Sequence, residues 1–157
     1  MTAHYISLSR RIGKELVSIE QVVTRAQSAW QTYEKTGNDF LLDSVALNLH
    51  GFYSGIEKLL ERIAKGVDNQ VPGGNSWHRD LLQQMADDVT GVRPAVISAS
   101  VLEQLDEYRR FRHVVRNVYG QELEPEKLKV LVAMSFATYT QVEEELVAFS
   151  RWLAASG

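Results

Sequence analysis

Residues 41–63 read LLDSVALNLHGFYSGIEKLLERI. The apolar positions Leu42, Val45, Leu49, Phe52, Ile56, Leu59 and Ile63 advance by alternating steps of three and four, the spacing that lays one continuous stripe along an α-helix. Upstream, Ile12, Leu16, Ile19, Val23, Ala26, Trp30 and Tyr33 repeat the pattern and predict a long first helix over about residues 8–36. Thr36-Gly37-Asn38-Asp39 separates the two, because glycine suits a left-handed C-cap and Asn or Asp suits the next N-cap. The second helix is expected to stop at Gly66, just after the basic Lys65, as a helix C-terminus favours.

Downstream, Pro72-Gly73-Gly74 and two asparagines mark residues 67–76 as an exposed loop, with Ser76 capping a shorter helix over about residues 77–89. Residues 90–99, containing Gly91 and Pro94, read as a second connection from which Val96 and Ile97 can pack inward. Ser100 opens a fourth helix, with Glu103 three residues later in a capping-box arrangement, running to about Tyr119-Gly120. Pro125 suits the first turn of a fifth helix through Val132, Tyr139, Val142, Leu146 and Phe149. No segment reads as a strand. The expectation is an all-α, up-and-down bundle of four to five helices, forming a single domain across residues 1–157.

Composition narrows the chemistry. The chain has 45% hydrophobic and 24% charged residues, enough apolar surface for a packed core. It has no cysteine, which removes disulfides, thiolate metal sites and thiol nucleophiles together. The N-terminus lacks a signal-like apolar core, and nowhere do about 18 apolar residues run together, so a cytoplasmic, non-membrane protein is expected. A net charge of -3 argues against coating nucleic acid with the whole surface, so any anion site must be local.

One such locality exists. Residues 108–119 read YRRFRHVVRNVY and hold four of the chain's eleven arginines, Arg109, Arg110, Arg112 and Arg116, with no carboxylate between Tyr108 and Tyr119. On a helix, Leu105, Tyr108, Phe111, Val114, Val115 and Val118 face the core. Tyr119, Arg112, Arg116, Arg109, His113 and Asn117 form a polar arc. Guanidinium groups offer paired donors to phosphate oxygens, and imidazole exchanges protons near neutrality. Together these groups suit metal-free RNA cleavage: a base activates the 2′-hydroxyl and arginine stabilises the charge gathering at phosphorus. The plain alternative is a solvated basic face; the absence of interleaved Glu favours an anion.

The stretch RHVVRNVYG resembles the signature helix of the HEPN superfamily, in its HepT-like branch of toxin–antitoxin ribonucleases. That branch carries Arg, four residues, His, one residue, Tyr. Arg112 and Tyr119 hold the outer positions, while Asn117 stands at the usual histidine position and His113 follows the arginine directly. The similarity covers roughly residues 40–151, including the GGNSWHRDLL turn. The resemblance implies an endoribonuclease, working without metal or other cofactor as a homodimer whose two signature helices share a cleft. It also implies a minimal nucleotidyltransferase antitoxin that adenylylates Tyr119. Arg112, His113 and Asn117 would then be catalytic, with Arg109 and Arg116 binding RNA. Because Asn117 cannot act as a base, two other readings stay open. One is a non-catalytic nucleotide- or partner-binding subunit of a nucleotidyltransferase complex, and the other is a helical adaptor.

Elsewhere, His50 and Glu57 share a helix face at a spacing a metal can use, but they read as structural, as do His78 at a helix start and His4 near the terminus. Gly51 and Gly55 read as places where another helix comes close. Trp30, Trp77 and Trp152 read as core or interface aromatics, and Pro72-Gly73-Gly74 lacks the continuation of a nucleotide loop.

Overall fold

The computed structural model describes the backbone of residues 2–116 and 123–156 and the side chains of residues 3–112 and 123–156. Five helices are found: α1 (Thr2–Thr36), α2 (Phe40–Ile63), α3 (Trp77–Ala86), α4 (Ala99–Arg116) and α5 (Pro125–Ala155). Among the described residues there is no strand, and an isolated bridge joins Val89 to Arg93. α1 lies along α2 and α5, while α4 packs on α2, α3 and α5. The stripes foreseen on α1 and α2 meet in one core, in which Ile12, Val23, Leu49, Phe52 and Ile56 are fully enclosed. No helix among the described residues is long and apolar enough to cross a membrane.

α1 begins at Thr2, earlier than the apolar repeat indicates. Its first turns pack at the far end of α2, where His4 Nε2 lies 3.2 Å from the Gly66 carbonyl oxygen. A Cβ added at Gly66 would lie 3.0 Å from the His4 ring. The glycine therefore admits α1 and does not end the helix. The helix continues instead as a π-helical turn, Ala64–Asp68, and stops at Asn69, whose φ of 54° is left-handed. Gly51 and Gly55 serve the close approach expected of them: added Cβ atoms would meet Val22 at 3.3 Å and Ile19 at 3.0 Å. Gly37 takes a left-handed φ of 68° and donates to the Tyr33 carbonyl, while the Asn38 side chain accepts from Phe40 N.

The start of α4 differs from the capping box read in the sequence. Ser98, not Ser100, is the cap: its Oγ accepts from Val101 N at 3.2 Å. The reciprocal carboxylate comes from Glu145 on α5, which accepts from Ser98 N at 2.6 Å and from Ser98 Oγ at 2.8 Å. Val96 and Ile97 are buried as expected, and both donate to the Met85 carbonyl. Ser76 stands at the start of α3 without a side-chain cap bond, and α3 ends at Ala86 because Asp87 is extended.

α3 has only ten residues and is secured from both sides. Leu81, Leu82 and Met85 enter the core. Arg93, in the following loop, is buried and pairs with Asp68 through Nε at 2.6 Å and Nη2 at 2.8 Å. Its remaining protons go to the carbonyls of Asp87, Pro94 and Gln84. Burial alone would raise the Asp68 carboxyl, but the hydrogen bonds from Arg93 and Gln84 outweigh it and hold its pKa below the ordinary value. This guanidinium ties the π-helical turn, the end of α3 and the loop before α4 into one unit.

Candidate functional site

α4 buries Leu105, Tyr108 and Phe111 as the helical arc requires. Tyr108 Oη donates to the Leu131 carbonyl at 2.7 Å, and its ring meets Phe52 edge-on at 5.1 Å. These contacts fix the rotation of α4 and decide where the polar residues of its next turn point.

The basic cluster is not unmatched. Asp106 lies three and four residues before Arg109 and Arg110, so one carboxylate reaches both on the helix surface. Arg109 Nε donates to Asp106 at 2.6 Å and Arg110 Nη2 at 2.8 Å, and Arg110 also nears Glu107 at 3.6 Å. Burial pushes the Asp106 carboxyl up, but these two arginines bring it below its ordinary value.

Arg112 departs from the solvated arc. Its side chain turns to α3, where Nη1 packs on the His78 ring, 2.9 Å from Nε2 and 3.4 Å from Nδ1. The same imidazole donates from Nδ1 to Glu57 Oε2 on α2 at 2.6 Å. Glu57 is a buried carboxylate on the apolar face of α2, and His78 stacks against Trp77 with ring centres 3.6 Å apart. Three helices thus contribute one chain of contacts, Glu57–His78–Arg112. Nε of Arg112 is enclosed and, among the described residues, without a hydrogen-bond partner, an uncommon state for a buried donor. The Tyr53 hydroxyl, one turn before Glu57, is also enclosed and lies within reach of that carboxylate. Burial first, and then the Glu57 charge, raise its pKa against the opposing pull of Arg109 and Arg112, so it remains a phenol.

α4 carries His113 and Arg116 in its backbone, but their side chains lie outside the described residues, as do Asn117 and Tyr119 altogether. The structure therefore brings Arg112 together with His78 and Glu57, two residues read as structural from sequence, and pairs Arg109 with Asp106. A signal for Glu57 was present: it falls four residues after Tyr53 and three before Leu60, inside the buried stripe, where a carboxylate needs a partner. Its partner lies 21 residues away, beyond any local spacing rule. No group of three metal-ligating side chains occurs among the described residues.

A cavity of about 770 Å³ lies elsewhere, between α1 and the π-helical turn, lined by Arg11, Lys14, Arg62 and Lys65. Arg62 stands in the last turn of α2 and Lys65 in the π-helical turn after it, where cations complement unmatched carbonyls.

Curated proteins and solved structures return no match. A family model described as HepT-like protein matches residues 44–153, from the first turns of α2 to near the end of α5, and so takes in Glu57, His78 and the whole of α4. On that match the chain belongs to the HepT-like family of the HEPN superfamily.

Proposed function

We propose that this protein is a HepT-like endoribonuclease toxin that acts as a homodimer on RNA, without a metal, and is neutralised by a minimal nucleotidyltransferase antitoxin that adenylylates Tyr119. Membership of the family supports the reading. The observation that carries it is Arg112, an arginine of the basic helix whose guanidinium is set in one place by His78 and keeps an enclosed, unmatched Nε–H. A held guanidinium stabilises developing charge without reorganising at the moment of reaction.

In the reaction, a base takes the proton of the 2′-hydroxyl, and that oxygen bonds to the adjacent phosphorus as the bond to the 5′-oxygen breaks. The products are a 2′,3′-cyclic phosphate and a 5′-hydroxyl, which takes its proton from water. Arg112 binds the scissile phosphate, His113 accepts the proton and Asn117 orients it. Arg109 and Arg116 steer the RNA, Arg109 by exchanging Asp106 for a phosphate oxygen. That exchange is inexpensive, because ion pairs near the surface contribute only about 0–1 kcal/mol. An adenylyl group on Tyr119 would add negative charge and bulk that compete with RNA for these donors.

Purified protein is expected to cleave RNA in EDTA, and Arg112→Ala to abolish cleavage. A mutant that cuts as well as the unaltered chain would refute the assignment. A second reading rests on Asn117, which holds the place of the usual motif histidine: a non-catalytic subunit that binds nucleotide or the nucleotidyltransferase. Tight partner binding, with no RNA cleavage at any pH between about 6 and 8, the range in which imidazole titrates, would favour it.

A further inference from the structure

Arginine has five N–H donors and no acceptor. Arg112 Nη1 lies 2.9 Å from His78 Nε2 and 3.4 Å from His78 Nδ1, so the guanidinium packs against the imidazole as a whole. Nδ1 lies 2.6 Å from the Glu57 carboxylate, which can only accept, so Glu57 holds the ring by its Nδ1–H.

We propose that Glu57 and His78 are a positioning pair for Arg112: Glu57 fixes the imidazole through Nδ1, and the fixed ring holds the guanidinium in place. The groups around His78 reinforce this arrangement. From α2 it faces Glu57, with the Tyr53 phenol behind it; from α4 it faces Arg112, with Arg109 acting on the same Tyr53 hydroxyl. On α3 itself Trp77 covers the ring, while Arg79 and Asp80 are exposed. Asp68, on the adjoining π-helical turn, is neutralised by Arg93.

The catalytic consequence rests on the ribonuclease reading; the contacts do not. The test has two arms. In the first, nitrogen-15 spectra of the full-length protein are expected to show an Arg112 Nε–H resonance slow to exchange with water, lost in His78→Ala and retained in His78→Gln. A resonance as protected in a folded His78→Ala as in the unaltered chain would overturn the proposal. In the second, cleavage of single-stranded RNA of mixed sequence is followed. His78→Ala is expected to lower kcat by about 10–100-fold, the usual effect of losing an orienting partner. His78→Gln, whose amide can donate to Glu57 and accept from Arg112, should recover most of it. A folded His78→Gln as impaired as His78→Ala would refute the positioning role. No cleavage by the unaltered chain would refute the ribonuclease reading, leaving the spectra to decide the pairing alone.

Discussion

Arg93→Ala tests whether the short α3 helix, and with it His78, is held by a buried charge. The guanidinium side chain has no exposed surface, and its partner Asp68 has only 9%. Removing one member of a buried pair leaves the other uncompensated, at about 3–5 kcal/mol. Two features point to the lower end. Asp68 keeps a hydrogen bond from Gln84 at 2.8 Å, and it borders an open cavity that water can enter. A loss of about 3 kcal/mol is a large share of the roughly 5–15 kcal/mol that holds a domain folded. For a chain of this size, at about 2–4 °C per kcal/mol, it lowers Tm by roughly 6–12 °C. Urea unfolding followed by tryptophan fluorescence is the assay, since Trp77 opens the affected helix. The midpoint should fall with an unchanged slope. The double variant Arg93→Ala/Asp68→Asn should be less destabilised than the two single losses added together. A loss under about 1 kcal/mol, the range of an exposed pair, or strict additivity, would refute the reasoning.

Two further outcomes follow from the same contacts. Ser98→Ala should destabilise the fold by about 1–2 kcal/mol, as loss of a helix cap does, whereas Ser100→Ala should leave the denaturation midpoint almost unchanged; equal effects would contradict the cap assigned to Ser98. Because the Asp68 carboxyl is depressed in the fold, its contribution is fully present above the unfolded value of about 3.9 and is lost as pH falls through the folded one. The stability gap between the unaltered chain and Asp68→Asn should therefore close on acidification below about pH 4, and a gap constant down to acid unfolding would show that Asp68 is not paired as described.

Four of the helices are legible because each buries one stripe at helical spacing, and that signal spans many residues; the short α3 is legible from the loops that bound it. Their ends were less so. Gly66 resembles a stop signal, but its missing side chain serves α1, which approaches from more than fifty residues upstream. Ser100 and Glu103 match the capping pattern, yet α4 starts earlier because Glu145, on α5, supplies the carboxylate. The candidate site divides in the same way. Arg112 and Arg109 were found as a local run of cations on one helix. Asp106, the partner of Arg109, stood just outside the run. His78 and Glu57 read as structural in the sequence, since a contact joining three helices leaves no periodicity in any one of them.

The cap that Glu145 completes has a mechanical meaning for the other end of α4. Fourteen residues of helix separate Ser98 from Arg112, a lever of about 20 Å at the ordinary rise per residue. A tilt of only about five degrees at the capped end would swing the tip by roughly 2 Å on that lever, enough to part Arg112 from the imidazole. Substitutions at Glu145 on α5, a helix that supplies none of the Glu57–His78–Arg112 contacts, therefore belong among those that detune the arginine, and they would do so by angle alone.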